Sequence, residues 1–281
     1  MRVGALLILS LALVCTVPAA AAVPQVPSFD HVVVIVFENK EREGVLGNRS
    51  AQTFNRYAKR FANLTAYYAV THPSLPNYIA LVSGSRQRIS SNCTQCIVDA
   101  PNLADSLEAA GRTWKTYAEG LPFPGFTGAA TGRYVKKHNP FLYFRGIVDD
   151  ATRRTRVVPL AQLAVDLRAQ ALSDFALLVP DLCNSMHDCG IPVGDAWLRR
   201  IVPPLLKLPK TAIFVVFDEG RTHERGGGHT PGLVLGTAVR SGSRFRALSG
   251  HYEVLRTIEE AWGLPLLGAS ARVRPITGIW R

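Results

Sequence analysis

Residues 31–39 read HVVVIVFEN. After His31 the run is wholly apolar as far as Phe37, and most of it is β-branched. A strand with one wet face would alternate apolar and polar residues; an unbroken run reads instead as a strand covered on both faces, the pattern of a parallel sheet sandwiched by helices. The run then stops at a carboxylate and an amide, Glu38 and Asn39.

Working outward, the same pattern recurs. FALLV at 175–179 leads into Pro180-Asp181, TAIFVVF at 211–217 leads into Asp218-Glu219, and 231–235 supplies a fourth buried run. Between them lie segments of helical spacing: 53–64 with Phe54, Tyr57, Ala58 and Phe61 on one face, 79–82, 102–110 with Asn102 as cap and Gly111 as stop, 160–172, 195–206 and 253–262. Residues 113–118 read as a further strand. Buried strands alternating with helices predict an α/β fold: a doubly wound, mainly parallel sheet with helices on both faces and right-handed crossovers.

The first 22 residues stand apart. MRVGALLILSLALVCTVPAAAA has one arginine, an apolar stretch and a small-residue end, the form of a secretory signal peptide, and the apolar part is short for a membrane span. Val14 before Cys15 is too bulky for a lipoprotein site. The remainder, 23–281, contains no repeat and no linker, so a single domain is expected, with 119–158, rich in Gly, Pro, Phe and Arg, as an irregular lid or rim insertion. No transmembrane anchor is expected after cleavage, and the protein is expected to be secreted, periplasmic or otherwise extracytoplasmic. The formal charge of +11 favours anionic partners. The arginines are scattered without interleaved aromatics, so no specific nucleic-acid partner is expected. Outside the leader the cysteines are Cys93, Cys96, Cys183 and Cys189. In an exported chain they read as disulfides; closeness favours Cys93–Cys96 and Cys183–Cys189, with a redox or zinc C-x-x-C as the competing reading.

Chemistry is expected at the carboxyl ends of the strands. Glu38-Asn39, Asp181 and Asp218-Glu219 all follow buried runs. Converging carboxylates repel unless something neutralises them, and a divalent cation is the simplest neutraliser. Glu38, Asn39, Asp218 and Glu219 form an oxygen-rich set suited to calcium, magnesium or manganese; His187 and His229 would shift the preference toward zinc. His229 follows three glycines, where backbone can approach a ligand closely. The stretch THPSLPNY at 71–78 brackets Ser74 and Leu75 with prolines. Pro76 suits the first turn of a helix, which places Ser74 at or just before a helix N-terminus, where free N–H groups favour an anion. A metal beside it would make Ser74 a nucleophile, and Asn77 is placed to donate its amide to the group under attack. A plain capped helix is the alternative reading of the stretch.

Taken together, VIVFEN, THPSLPNYIALVSG, HNPFLYF, PDLCNSMHD, VVFDEG, GGGHTPGLVLG and HYEVLRTIEEAWGL, in that order, resemble the phosphoesterase family of acid phosphatases and bacterial phospholipases C, within the alkaline-phosphatase superfamily. The resemblance implies an alkaline-phosphatase-like core over 23–281 and a hydrolase acting on phosphoric esters through a serine that takes the phosphoryl group. It implies Ser74 as nucleophile, Asn77 as a phosphate-binding amide, and Glu38, Asn39, Ser74, Asp218 and Glu219 as holders of a divalent cation. Asp181, His187 and His229 are implied as further ligands or phosphate contacts, and His138 and Asn139 as substrate contacts. Two-metal members carry Asp-His where this chain has Asp218-Glu219, so one ion per chain is expected. The chain ends soon after its last motif, which favours a compact phosphomonoesterase of small phosphate esters. A phospholipase C or other phosphodiesterase is the alternative, with a phospholipid partner and an apolar channel from Phe123, Phe126, Phe141, Tyr143 and Phe144. An exported anion-binding protein is the non-enzymatic alternative.

Overall fold

The computed structural model describes residues 25–281, with Met1; from Arg2 onward the signal peptide expected over 1–22 lies outside the described residues. An eight-stranded sheet forms the centre. Its spatial order is Arg244–Phe245, Ala62–Leu64, Gly232–Leu235, Thr211–Phe217, His31–Phe37, Phe175–Val179, Trp114–Ala118 and Val157–Pro159. The three continuous apolar runs recognised in the sequence are the three adjacent central strands, paired in parallel. The 232–235 strand runs antiparallel to both of its neighbours, so the sheet is mainly rather than wholly parallel.

The central strands are buried because both faces are covered. Phe37 and Phe217 stack on one face and receive Phe54 of helix Gln52–Arg60 and Trp197 of helix Ile191–Leu205. Side chains alternate along a strand, so the residues next to Phe37 and Phe217 point to the opposite face. There Glu38 meets Ser74 and Tyr78 of helix Ser74–Ser83, which packs against helix His251–Trp262.

Helix Gln52–Arg60 lacks a cap of its own; Asp195, from the partner helix, accepts the N–H groups of Thr53 (2.7 Å) and Phe54 (3.0 Å) in its place. The 53–64 periodicity overshoots, because the helix stops at Arg60 and Ala62–Leu64 join the sheet beside 232–235. Asn102 caps its helix through a reciprocal bond with Asp105. Both expected disulfides form, Cys93–Cys96 and Cys183–Cys189.

Residues 119–158 contain a two-stranded hairpin, two 3-10 turns and two single-turn helices before entering the edge strand. Their aromatic residues do not line a channel. Phe141, Tyr143 and Phe144 are core residues, Phe126 packs against Tyr134, and Phe123 is exposed. Among the described residues, no helix is long and apolar enough to cross a membrane.

Candidate active site

Register builds the centre of the site. Phe37 pairs with Phe217 in the parallel ladder, so the next residues, Glu38 and Asp218, leave the sheet side by side. Both side chains are fully buried. Burial first, then the neighbouring Asp218, pushes the Glu38 carboxyl well above the usual carboxylate range; burial likewise raises Asp218. Asp218 Oδ1 accepts the N–H groups of Glu219 (2.6 Å) and Asn39 (3.2 Å), the latter residue in a left-handed conformation with φ 51°. Its Oδ2 is buried with no partner.

Ser74 lies against these acids. It is the first residue of helix Ser74–Ser83, is 1% exposed, and places its Oγ 3.3 Å from Glu38 Oε2 and 3.3 Å from Glu219 Oε1. The helix start is less open than its sequence suggests: the Leu75 N–H is taken by Asn92 Oδ1 at 3.0 Å, and Pro76 has none to offer. Burial, and then Asp218, raise the Glu219 carboxyl to about 7, with His72 pulling the other way.

Asn77 differs from the free amide expected of it. Its Nδ2 donates to the carbonyls of Thr71 (2.7 Å) and Pro73 (3.1 Å), and its Oδ1 accepts the N–H groups of Val70 (3.0 Å) and Thr71 (3.1 Å). It shapes the segment leading into Ser74 and has no hydrogen left for a ligand. Asp181 is similarly diverted: its Oδ1 closes a turn on the N–H groups of Cys183 and Asn184. His229 sits apart from the acids. It stacks on Tyr68 at 4.7 Å, with Nε2 on the Thr65 carbonyl and Nδ1 facing Glu43. The first glycine before it makes a close backbone approach: Gly226, at φ 105°, lies so near Val70 that a Cβ there would meet the Val70 carbonyl at 2.3 Å. That contact holds the 220–229 loop against the segment carrying His72.

His138, by contrast, does reach the centre, while its neighbour Asn139 makes no hydrogen bond with the acids or Ser74. His138 is buried, its Nε2 lies 3.2 Å from Glu38 Oε1, and its ring stacks on Tyr78 at 17°. Burial, then Lys137, push its pKa well below the usual histidine value. Asn139 is buried with both amide atoms unpartnered. His187 stands at the mouth, 29% exposed, with Nδ1 on Asp188 and Nε2 3.3 Å from Lys137 Nζ.

Three contributors were absent from the sequence reading. His72 joins Glu219 Oε2 through Nδ1 (2.7 Å) and the Thr222 carbonyl through Nε2 (2.8 Å). The Tyr78 hydroxyl donates to Glu38 Oε1. Buried His251 donates from Nε2 to the Asp218 carbonyl (2.8 Å) and accepts from Tyr67 through Nδ1, a neutral tautomer consistent with burial pulling its pKa down to about 4. The place of His72 and Tyr78 in 71–78, at either end of the stretch around Ser74, was the one available clue.

Among the described residues, no three His, Cys, Asp or Glu side chains are drawn tightly enough together to form a ready-made metal cage. The donor set nonetheless suits a hard divalent cation. Its members are oxygens, burial raises the pKa values of Glu38, Asp218 and Glu219 by disfavouring their charged forms, and Asp218 Oδ2 is orphaned.

The model of the Phosphoesterase family matches residues 44–265. The chain is 35% identical over 272 residues to the phosphatidylinositol-3-phosphatase of Mycobacterium tuberculosis, covering 92% of this chain and 88% of that one. It is 32% identical to an acid phosphatase of Aspergillus fumigatus over 73% of this chain, and 29% identical to a phosphate-repressible acid phosphatase of Penicillium chrysogenum over 86%. It spans 49% and 61% of the lengths of those two fungal relatives. Among solved structures, an alkaline-phosphatase-superfamily protein of Vibrio parahaemolyticus superposes with TM-score 0.60 at 13% identity, covering 89% of this chain and 71% of that one. A phosphonate monoester hydrolase of Silicibacter pomeroyi gives 0.56 at 12%, covering 84% and 74%. At such identities these two speak for the fold alone.

Proposed function

The chain belongs to the phosphoesterase family and is a hydrolase of phosphoric ester bonds; from that premise we propose that it is an exported, metal-dependent phosphomonoesterase of acid-phosphatase type, with one domain over 23–281 and a rim at 119–158. The observation that carries the reading is the Ser74 hydroxyl, set at a helix N-terminus and held between Glu38 and Glu219 beside Asp218. The two disulfides accord with export.

Ser74 Oγ attacks phosphorus in line, the ester oxygen leaves with its alcohol, and water later hydrolyses the phosphoserine. Ser74 Oγ lies within hydrogen-bond reach of Glu219 Oε1, and Glu219, raised to about 7, receives its proton as the bond to phosphorus forms. His72 orients Glu219, Tyr78 orients Glu38, and Asn77 holds the segment that aims Ser74. Lys137 and His187 at the mouth meet the anionic ester, and the unpartnered Asn139 amide is available to a substrate oxygen. Glu38, Asn39, Ser74, Asp218 and Glu219 would hold one divalent cation. When bound, such an ion lowers the pKa of the serine hydroxyl and offsets phosphoryl charge.

The substrate class is the phosphate monoester, and the phosphoinositide named for the mycobacterial relative falls within it. The diester alternative called for an aromatic channel, and the burial of Phe141, Tyr143 and Phe144 removes the observation that favoured it. The test is release of p-nitrophenol from its phosphate monoester and from the bis-ester, with and without chelator, for wild type and Ser74→Ala. Chelator-sensitive monoester cleavage that disappears in a folded Ser74→Ala variant is expected. Undiminished cleavage by that variant would remove Ser74 from its role.

A further inference from the structure

Beyond helix Ser74–Ser83 the chain makes a contact that the hydrolytic site does not require. Gly84 ends the helix in a left-handed conformation (φ 65°), and its carbonyl accepts the Ala269 N–H at 2.7 Å. A Cβ on Gly84 would lie 1.8 Å from the Leu267 carbonyl oxygen, and one on Gly268 2.5 Å from that of Gly84. Two glycines back to back are therefore what allows 84–90 and 267–272 to touch. The contact gathers Arg86 and Arg88 from one segment and Arg272 from the other around a single depression of about 480 Å³, with Ser85, Ser90 and Tyr252 also in its wall.

The lining contains no Asp or Glu. Among the described residues, none of the three guanidinium groups is ion-paired, whereas Arg112, Arg153, Arg156 and Arg256 each lie on a carboxylate. Three exposed guanidinium groups over one hollow present charge of a single sign, and guanidinium geometry matches a tetrahedral oxyanion. The hollow is also tied to the start of the helix. Arg86 Nη1 reaches Thr71 Oγ1 at 3.3 Å, one residue before His72, and the same loop ends at Asn92, which holds the Leu75 N–H.

We propose that Arg86, Arg88 and Arg272 form a second oxyanion site, for a phosphate-type group, beside the hydrolytic one. The group has two sources: the second phosphate of a substrate whose first phosphate reaches Ser74, or free inorganic phosphate. For the first source the inference rests on the phosphomonoesterase reading. The helix of ten residues between Ser74 and the hollow is about 15 Å long, which gives the scale of the separation.

The test uses the full chain and the double variant Arg88→Gln/Arg272→Gln, which leaves the Arg86–Thr71 contact in place. Calorimetric titration with inorganic phosphate at low ionic strength is expected to show two sites in wild type. In the variant one of them should be weakened about tenfold or more, with the melting curve and p-nitrophenyl phosphate turnover unchanged. Superimposable isotherms for the two proteins overturn the proposal, whatever the turnover. A series of α,ω-alkanediol bisphosphates compared with the matching alkyl monophosphates then assigns the source. A wild-type preference for some bisphosphate that the variant loses places the second phosphate on the substrate; no preference, with two phosphates still bound, assigns the site to free phosphate. Failure of wild type to hydrolyse any monoester would refute the phosphatase reading, while the isotherms would still decide the second site.

Discussion

Asp218→Asn should make the metal-free protein more stable. Asp218 and Glu38 are fully buried neighbours whose pKa values are both raised, and Asp218 Oδ2 has no partner. Without a cation, ionising both carboxylates sets two like charges together in a medium that screens poorly, and keeping either one protonated costs more as pH rises. Neutralising one removes that repulsion and supplies an amide hydrogen to Glu38. Asparagine keeps an oxygen for the N–H groups of Glu219 and Asn39. An unpaired buried polar group costs about 1–3 kcal/mol, so a gain of about 2 kcal/mol is expected, or roughly 4–8 °C in melting temperature for a chain of this size. The sign with pH follows from the direction of the shifts. A raised carboxyl pKa means the folded state binds protons more tightly than the unfolded one, so the penalty is present above the folded pKa values and fades as pH falls toward 4. The assay is thermal unfolding of wild type and variant in chelator at pH 8 and pH 5, repeated with excess calcium, magnesium or manganese. The variant's advantage should be large at pH 8 and small at pH 5. Added cation should raise wild type by about 2.7 kcal/mol at a hundredfold excess over its dissociation constant and the variant by less. A chelated variant that melts at or below wild type at pH 8 would refute the reasoning.

His72→Gln, which loses the 2.7 Å contact to Glu219, should lower activity or metal affinity by about 10- to 100-fold with little loss of stability; steady-state kinetics across a metal titration checks it. Asp195→Ala strips helix Gln52–Arg60 of its borrowed cap and should cost about 2 kcal/mol, read as a lower urea midpoint with an unchanged slope. Glu259 is buried, gives one oxygen to the Leu267 N–H, leaves the other unpartnered, and is raised by burial to about 7. Its contribution should therefore weaken stability as pH rises from about 4.5 through 7. Glu259→Gln should flatten that part of the profile and raise stability at pH 8 by on the order of 2 kcal/mol, measured by denaturant unfolding across pH.

The central sheet was legible because burial on both faces leaves a local mark. HVVVIVF, FALLV and TAIFVVF are apolar without alternation, and nothing but covered parallel strands accounts for three such runs separated by helices. The acids at their ends were legible for the same reason, since a strand's exit is visible wherever the apolar run stops. Beyond that, local pattern fell short. The overshoot at 53–64 arose because Phe61 and Leu64 fit helical spacing as well as they fit a short strand, and only pairing with 232–235 decides between them. The antiparallel direction of that neighbour has no sequence mark either.

At the site, the chain alone determined a serine at a helix start and a set of carboxylates at strand ends. It could not determine which of them meet. Glu38 and Asp218 converge because their strands are adjacent and in register at Phe37 and Phe217. Asp181 leaves the next strand over, but turns back to close its own loop. His229 is carried off to Tyr68 by a glycine loop, while His72, adjacent in sequence to the stretch that aims Ser74, becomes the partner of a glutamate 147 residues away. Periodicity and composition act over a few residues, whereas sheet order, register and the side chosen by each exit side chain are set by packing across the whole molecule, and those decided the site.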